Sequence, residues 1–280
     1  MTKIVSIIYF TLFLGGVVPE QAHQVTTTNA TIYDHLVVYK LTYQKDSTDP
    51  TIKEAKMALL LGKEGSVFGV YGNLNRDTAK FLDQQRGGRK FRFKTGYPVD
   101  YYIDYRIFKE KDKILTYDRI AAVQAPIFNY TENKADLKWR ITEDTATIAG
   151  YFCQKAVCEL GNRTWNAWFT AELPISDGPY KFCGLPGLII QVSDSRNFWN
   201  FSLLSLENKP YTYYDDMIRN KESISTSKSK FLSLLKSSYD NGFEVEQQYG
   251  LTFKDQIDEQ KEYYQQRAKK ENNWIEKISP

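Results

Sequence analysis

Residues 151–170 read YFCQKAVCELGNRTWNAWFT, and the way this stretch pairs decides the architecture. Gly161-Asn162 suits a two-residue hairpin loop, because both central positions of a type I′ turn need positive φ. Folding there sets Cys158 opposite Trp165, Ala156 opposite Ala167, Gln154 opposite Phe169 and Lys155 opposite Trp168. Side chains alternate along a strand. Phe152, Ala156, Cys158 and Leu160 therefore share one face with Trp165, Ala167 and Phe169, and that face is apolar enough to enter a core. Cys153, Lys155 and Val157 fall on the other face.

Working outward, residues 32–44 (IYDHLVVYKLTYQ) read as one long first strand. AKMALLL, GKEG and SVFGVY then form strand, turn and strand. Residues 73–86 (NLNRDTAKFLDQQR) read as a short helix, opened by a capping asparagine. GGRKFRFKTGYPVDYYIDYRIFKE, KDKILTYDRIAA and DLKWRITEDTATIAG continue an antiparallel meander. The basic run RGGRKFRFK (86–94) reads as a glycine turn followed by the exposed face of a strand. From about residue 225 the pattern turns helical, over 225–240 and again over 253–271, where acidic residues come early and basic ones late, as a helix dipole favours. The expectation is an α+β fold, mainly antiparallel β. With no internal repeat and no linker, residues 23–280 form a single domain.

The N-terminus is a different kind of segment. Lys3 precedes an apolar run from Ile4 to Val18, and PEQAHQ breaks it. This is a secretory signal pattern over 1–22, with a cut after Gly16 or after Ala22. The run falls short of the roughly 18–20 apolar residues that a membrane span needs. The mature chain is expected to be exported and soluble. A net charge of +3 gives no electrostatic case for nucleic acid. The 20 Tyr and 16 Phe favour β-structure.

Chemistry-bearing residues are few. The chain has 2 His: His23 at the signal junction and His35 in the first strand. Neither stands in a catalytic loop, no C-x-x-C occurs, and no metal or cofactor site is expected. Cys153 and Cys158 on one straight strand would lie about 16 Å apart at about 3.3 Å per residue. A disulfide needs roughly 4.4–6.8 Å. Any bridge therefore uses Cys183, with Cys153 preferred over Cys158; three reduced thiols remain equally open. Residues 182–190 read FCGLPGLII. Pro186-Gly187 suits a type II turn, and Leu188-Ile189-Ile190 opens a strand. With no acid, base or hydroxyl, this loop reads as a turn set into the sheet, the alternative being a backbone clamp on a ligand.

The block GYFCQKA (150–156), WNAWFTAELPISDGPYKFCGLPGLI (165–189), YKLTYQKDS (39–47) and KENNWIEKI (270–278) resembles the GLPGLI family of exported proteins of Bacteroidota. Trp274 stands where that family's ending commonly has proline, which puts the docking of the tail in question. The resemblance implies a periplasmic or cell-envelope location and supplies no reaction. By analogy with periplasmic lipoprotein carriers, the sheet is expected to be curved, or an open barrel, with packed helices. The leading functional expectation is a non-catalytic protein that uses a concave aromatic face to hold an apolar or lipid-like ligand, or to dock on an outer-membrane partner. Gly184, Leu185, Pro186, Gly187, Leu188, Ile189, Trp165 and Trp168 are the candidate ligand or family-motif residues. One alternative is an envelope hydrolase, which predicts two carboxylates converging in a cleft with perturbed pKa values. The other is thiol-redox chemistry at Cys153 or Cys183, which predicts an exposed thiol of lowered pKa.

Overall fold

The computed structural model describes residues 31–85, 101–120, 126–214, 223–248 and 257–277. The expected signal segment and the basic run 86–94 lie outside them. In chain order the elements are β1 (Thr31–Tyr33), β2 (His35–Tyr43), β3 (Lys53–Leu61), β4 (Gly65–Val70), α1 (Tyr71–Gln85), β5 (Arg106–Glu110), β6 (Lys113–Arg119) and β7 (Ile127–Asn133). Then follow β8 (Arg140–Ile148), β9 (Tyr151–Leu160), β10 (Arg163–Thr170), β11 (Leu188–Asp194), β12 (Trp199–Glu207), β13 (Tyr211–Tyr213) and β14 (Ser223–Ser225). Three helices complete the described chain: α2 (Lys228–Asp240), α3 (Gly242–Gln248) and α4 (Ile257–Lys270).

Twelve strands form one open sheet in the order β14-β7-β6-β5-β4-β3-β2-β12-β11-β10-β9-β8. Every pair in it is antiparallel except β14 beside β7. The sheet does not close into a barrel, and the α+β class holds. β12 returns to lie beside β2, so the wing built by β8–β11 joins the meander β2–β7 through a single strand pair.

The sheet buries two faces. On one, Tyr39, Leu59, Phe68, Ile107, Trp165 and Phe201 pack beneath the motif loop and the C-terminal tail. On the other, Leu36, Leu60, Val67 and Phe108 meet Leu74 of α1 and a small ribbon of β1 paired with β13. That ribbon explains why the expected first strand is two strands. The chain breaks at Asp34, whose N–H donates to the Leu61 carbonyl at 2.7 Å. β1 can then leave the sheet and place Tyr33 against Tyr213 on the second face. A third cluster joins Ile120, Phe128 and Tyr130 to Phe231 of α2. Ser227 caps α2, its side chain accepting from the Lys230 N–H.

The hairpin of β9 and β10 turns at Gly161-Asn162, at φ 60° and 57°. It has the expected register of Cys158 with Trp165, Ala156 with Ala167, Gln154 with Phe169 and Lys155 with Trp168. Its first end differs from expectation. Phe152 is 62% exposed and Cys153 is fully buried, the reverse of simple alternation. The flanking strands are irregular there. β8 spends four residues, Ile141 to Thr145, where β9 spends two, and β11 carries an extra residue opposite Trp168 and Phe169. Such bulges twist and bend the pairing, while β9 and β10 stay in continuous register down to Gln154 opposite Phe169. Cys153 and Cys158 are both buried among the core residues.

Candidate functional site

The motif loop, residues 171–187, lies across the buried face of the sheet. Short three-residue turns shape it, since the N–H of Ile175, Asp177 and Gly187 donate to the carbonyls two residues before, at 2.7, 2.7 and 2.8 Å. The expected type II turn at Pro186-Gly187 does not form. Such a turn puts its second central residue near φ +80°, but Gly187 sits at 158°, and the Leu188 N–H goes to Leu173 at 3.0 Å. The chain closes instead as a tighter turn centred on Pro186, whose locked φ suits it. Gly187 is needed for close approach, because a Cβ there would stand 2.0 Å from the Thr170 carbonyl oxygen.

Side chains from the sheet hold this loop. Lys109 of β5, fully buried, pairs with Asp177 and donates to the carbonyls of Gly178 at 2.6 Å and Phe182 at 3.4 Å. Ser66 donates to Asp177 at 2.7 Å, Tyr39 to the Ile189 carbonyl at 2.8 Å, and the Trp139 indole to the Cys183 carbonyl at 2.8 Å. Phe182 stacks on Trp165 with ring centroids 4.8 Å apart. Leu185, Leu188 and Ile189 are buried, whereas Gly184 and Pro186 face solvent. Trp168 is half-buried on the outer side of β10, beneath the Lys155 ammonium. The aromatic face expected to receive a ligand is thus occupied by the protein's own loop.

The three cysteines are unbridged and buried. Burial pushes the Cys158 thiol up to about 12 and raises Cys153 and Cys183 as well. These are the opposite of the conditions that make a thiol reactive. His35 shares a hydrogen bond with Asn208 at 2.8 Å. No group of three metal-ligating side chains occurs among the described residues.

The C-terminal tail docks despite Trp274. Arg163 pairs with Asp194 at 2.9 Å and donates to Asn273 at 2.5 Å and to the Trp274 carbonyl at 2.6 Å. The Trp199 indole donates to the Asn273 carbonyl at 3.0 Å, and the Lys277 N–H to that of Gly161 at 2.7 Å. Gly161 is glycine for a second reason here, since a Cβ would fall 2.5 Å from Glu276. Trp274 packs against Tyr239 of α2 at 5.0 Å.

Tail, α2 and sheet together line a partly open chamber of about 50 Å³. Thr116 and Asp118, two apart on β6, line it from one face of the strand. Tyr130 lies directly across from Thr116 on β7, and Tyr105 leads into β5. Tyr180 comes from the motif loop, Phe231 and Tyr239 from α2, and Trp274 and Glu276 from the tail. The hydroxyls of Tyr105 and Thr116 and the indole N–H of Trp274 are buried with no hydrogen-bond partner.

Two carboxylates meet this chamber with opposite electrostatics. Burial pushes the Asp118 carboxyl up to about 7; the Arg119 N–H, donating at 2.7 Å, and the charges of Lys181 and Arg106 only partly oppose it, while Asp104 adds to it. Burial would also raise Glu276, but Lys181 and Lys228 outweigh it and hold that carboxyl down at about 2. Tyr180 donates to Glu276 at 2.6 Å. Buried Lys181 also pairs with Glu132 at 2.5 Å and donates to Tyr130 at 3.0 Å.

The sequence reading missed Asp118, Tyr105, Thr116, Lys181 and Glu276. A faint signal existed. Thr116 and Asp118 put polar groups on the same strand face as Ile114, and Lys181 stands between Tyr180 and Phe182.

A family model described as "Protein of unknown function (Porph_ging)" matches residues 159–191, from the end of β9 through the motif into β11. No curated protein matches. Among solved structures, PNGF-II in the C2 space group is 15% identical, covering 72% of this chain and 33% of that one, with a TM-score of 0.46. PNGF-II in the P21 space group is 13% identical, covering 73% and 34%, with a TM-score of 0.47. The chain spans about a third of the length of those structures.

Proposed function

We propose that this chain is an exported cell-envelope protein that works by binding, with the chamber between β5–β7, α2 and the tail as its guest site. The observation behind this reading is that Tyr105, Thr116 and Trp274 aim buried, unpartnered polar atoms at a space beside Asp118. An unsatisfied buried group costs about 1–3 kcal/mol, and native folds carry few of them unless water or a ligand completes the set. The volume admits a few waters or a guest of a few heavy atoms. An apolar or lipid-like ligand on the aromatic face is less well supported, because the motif loop fills that face. Docking on an outer-membrane partner is also less well supported, because the exposed Ile32, Ile52, Phe152, Leu204 and Tyr263 sit on different elements.

The test is a screen of small polar molecules against the mature chain, read by melting temperature and tryptophan fluorescence. One chemical class is expected to raise the melting temperature saturably, and Tyr105→Phe with Thr116→Val to abolish that rise. A chamber holding only ordered water, with no probe shifting the melt, defeats the reading. Recovery of the chain from the cytoplasm of its host defeats the export part.

A second reading, a hydrolase using paired carboxylates, draws on the separation of Asp118 and Glu276 within one chamber, the pattern of an acid and a base. Against it, Lys181, Lys228 and Tyr180 already hold the Glu276 carboxylate. Turnover of any substrate that Asp118→Asn abolishes while binding survives would favour it.

A further inference from the structure

Resting on the chamber as the binding site, we propose that its guest presents a primary ammonium group, seated against the Asp118 carboxylate among the tyrosine rings. Charge counting leads there. Lys181 and Lys228 lie between Glu132 and Glu276, two cations to two anions, and are ion-paired with them. Asp118 has no ion-pair partner among the described residues. Among the described residues it accepts only the neighbouring Arg119 N–H, and the cations that favour its charge, Lys181 and Arg106, are ion-paired elsewhere. Asp118 is half-buried, and a partly desolvated carboxylate without a counter-ion favours a cation that arrives beside it.

The rest of the lining fits such a cation. An ammonium carries three donors and no acceptor. The Asp118 carboxylate and the free hydroxyls of Tyr105 and Thr116 are three acceptors on one wall. Aromatic side chains supply most of the remainder, and ring faces attract cations. The structure already shows this preference, since the Lys181 ammonium lies 4.8 Å from the Tyr130 ring centre and 5.3 Å from that of Tyr180. An anion could accept from the Tyr105 and Thr116 hydroxyls and the Trp274 N–H, but it would have to enter beside the Asp118 carboxylate, which has no ion-pair partner among the described residues.

The probes are methylammonium, methanol and acetate, matched in size and ionic strength, titrated into the mature full-length chain and read by melting temperature and calorimetry. Methylammonium is expected to bind saturably in about the millimolar range, and methanol and acetate at least tenfold more weakly. Asp118→Asn is expected to weaken methylammonium at least tenfold without lowering the guest-free melting temperature, and Thr116→Val to weaken it severalfold. If methanol or acetate binds as tightly as methylammonium, or if Asp118→Asn leaves binding unchanged, the ammonium assignment is overturned while the chamber survives as a site. If no probe binds and the chamber holds only water, both fall together.

Discussion

Lys109 and Asp118 stand on neighbouring strands of the same sheet face, and the structure treats their charges in opposite ways. Lys109 is fully buried and matched, with Asp177 and two carbonyls, all from the motif loop, meeting its three protons. Asp118 is matched by one backbone N–H and lies beside hydroxyls that also lack partners. A matched buried charge pins one segment to another. A half-buried one without a counter-ion, beside a cavity, leaves interaction energy for something that is not part of the chain. The motif that marks the sequence so visibly is therefore architecture, and the strand that drew no notice carries the candidate site.

The contrast can be broken most forcefully at Lys109. Lys109→Met leaves Asp177 without its cation and frees the loop, and should cost about 3–5 kcal/mol in urea unfolding. A loss below about 1 kcal/mol would mean that the pair does not anchor the loop.

Asp118 should behave in the reverse sense, and its effect should depend on pH. Its folded pKa of about 7 lies above the unfolded value near 4. The folded state therefore holds the extra proton between those values, and stability falls as pH rises through that window. Asp118→Asn should match the parent near pH 4 and exceed it by about 2–4 kcal/mol above pH 7. Glu276, held at about 2, works the other way: its contribution is present above about pH 4 and is lost as pH falls through 2. A pH-independent difference for Asp118→Asn would show that its carboxylate is matched after all.

Thr116→Val gives the smallest and sharpest contrast. It keeps the shape, deletes an unpartnered hydroxyl, and should be neutral or stabilising by about 1 kcal/mol in the guest-free chain. A clear destabilisation would reveal a hydrogen bond at Thr116 that the contrast assumes absent.

What could be read from the sequence was what depends on neighbours along the chain. Gly161-Asn162 announces its hairpin because positive φ is a local demand. The β3–β4 hairpin and the charge-graded α4 follow from spacing and dipole alone. The Pro186 turn was misjudged because a residue thirteen positions earlier, Leu173, takes the Leu188 N–H. The burial of Cys153 and the exposure of Phe152 could not be read from β9 alone, because they depend on what the rest of the fold packs around that end of the strand.

The sequence by itself determined the antiparallel character, the central hairpin and its register, the helical C-terminal part and the turn-forming role of the motif block. Each is an outcome of alternation, turn chemistry or capping, which act over a few residues. Only the tertiary structure decided the order of twelve strands, the covering of the aromatic face by the motif loop, and the chamber. That chamber draws Tyr105, Thr116, Asp118, Tyr180, Trp274 and Glu276 from segments far apart in the chain. Desolvation and unmatched charge are properties of the assembled surroundings, and no single segment carries them in its own pattern.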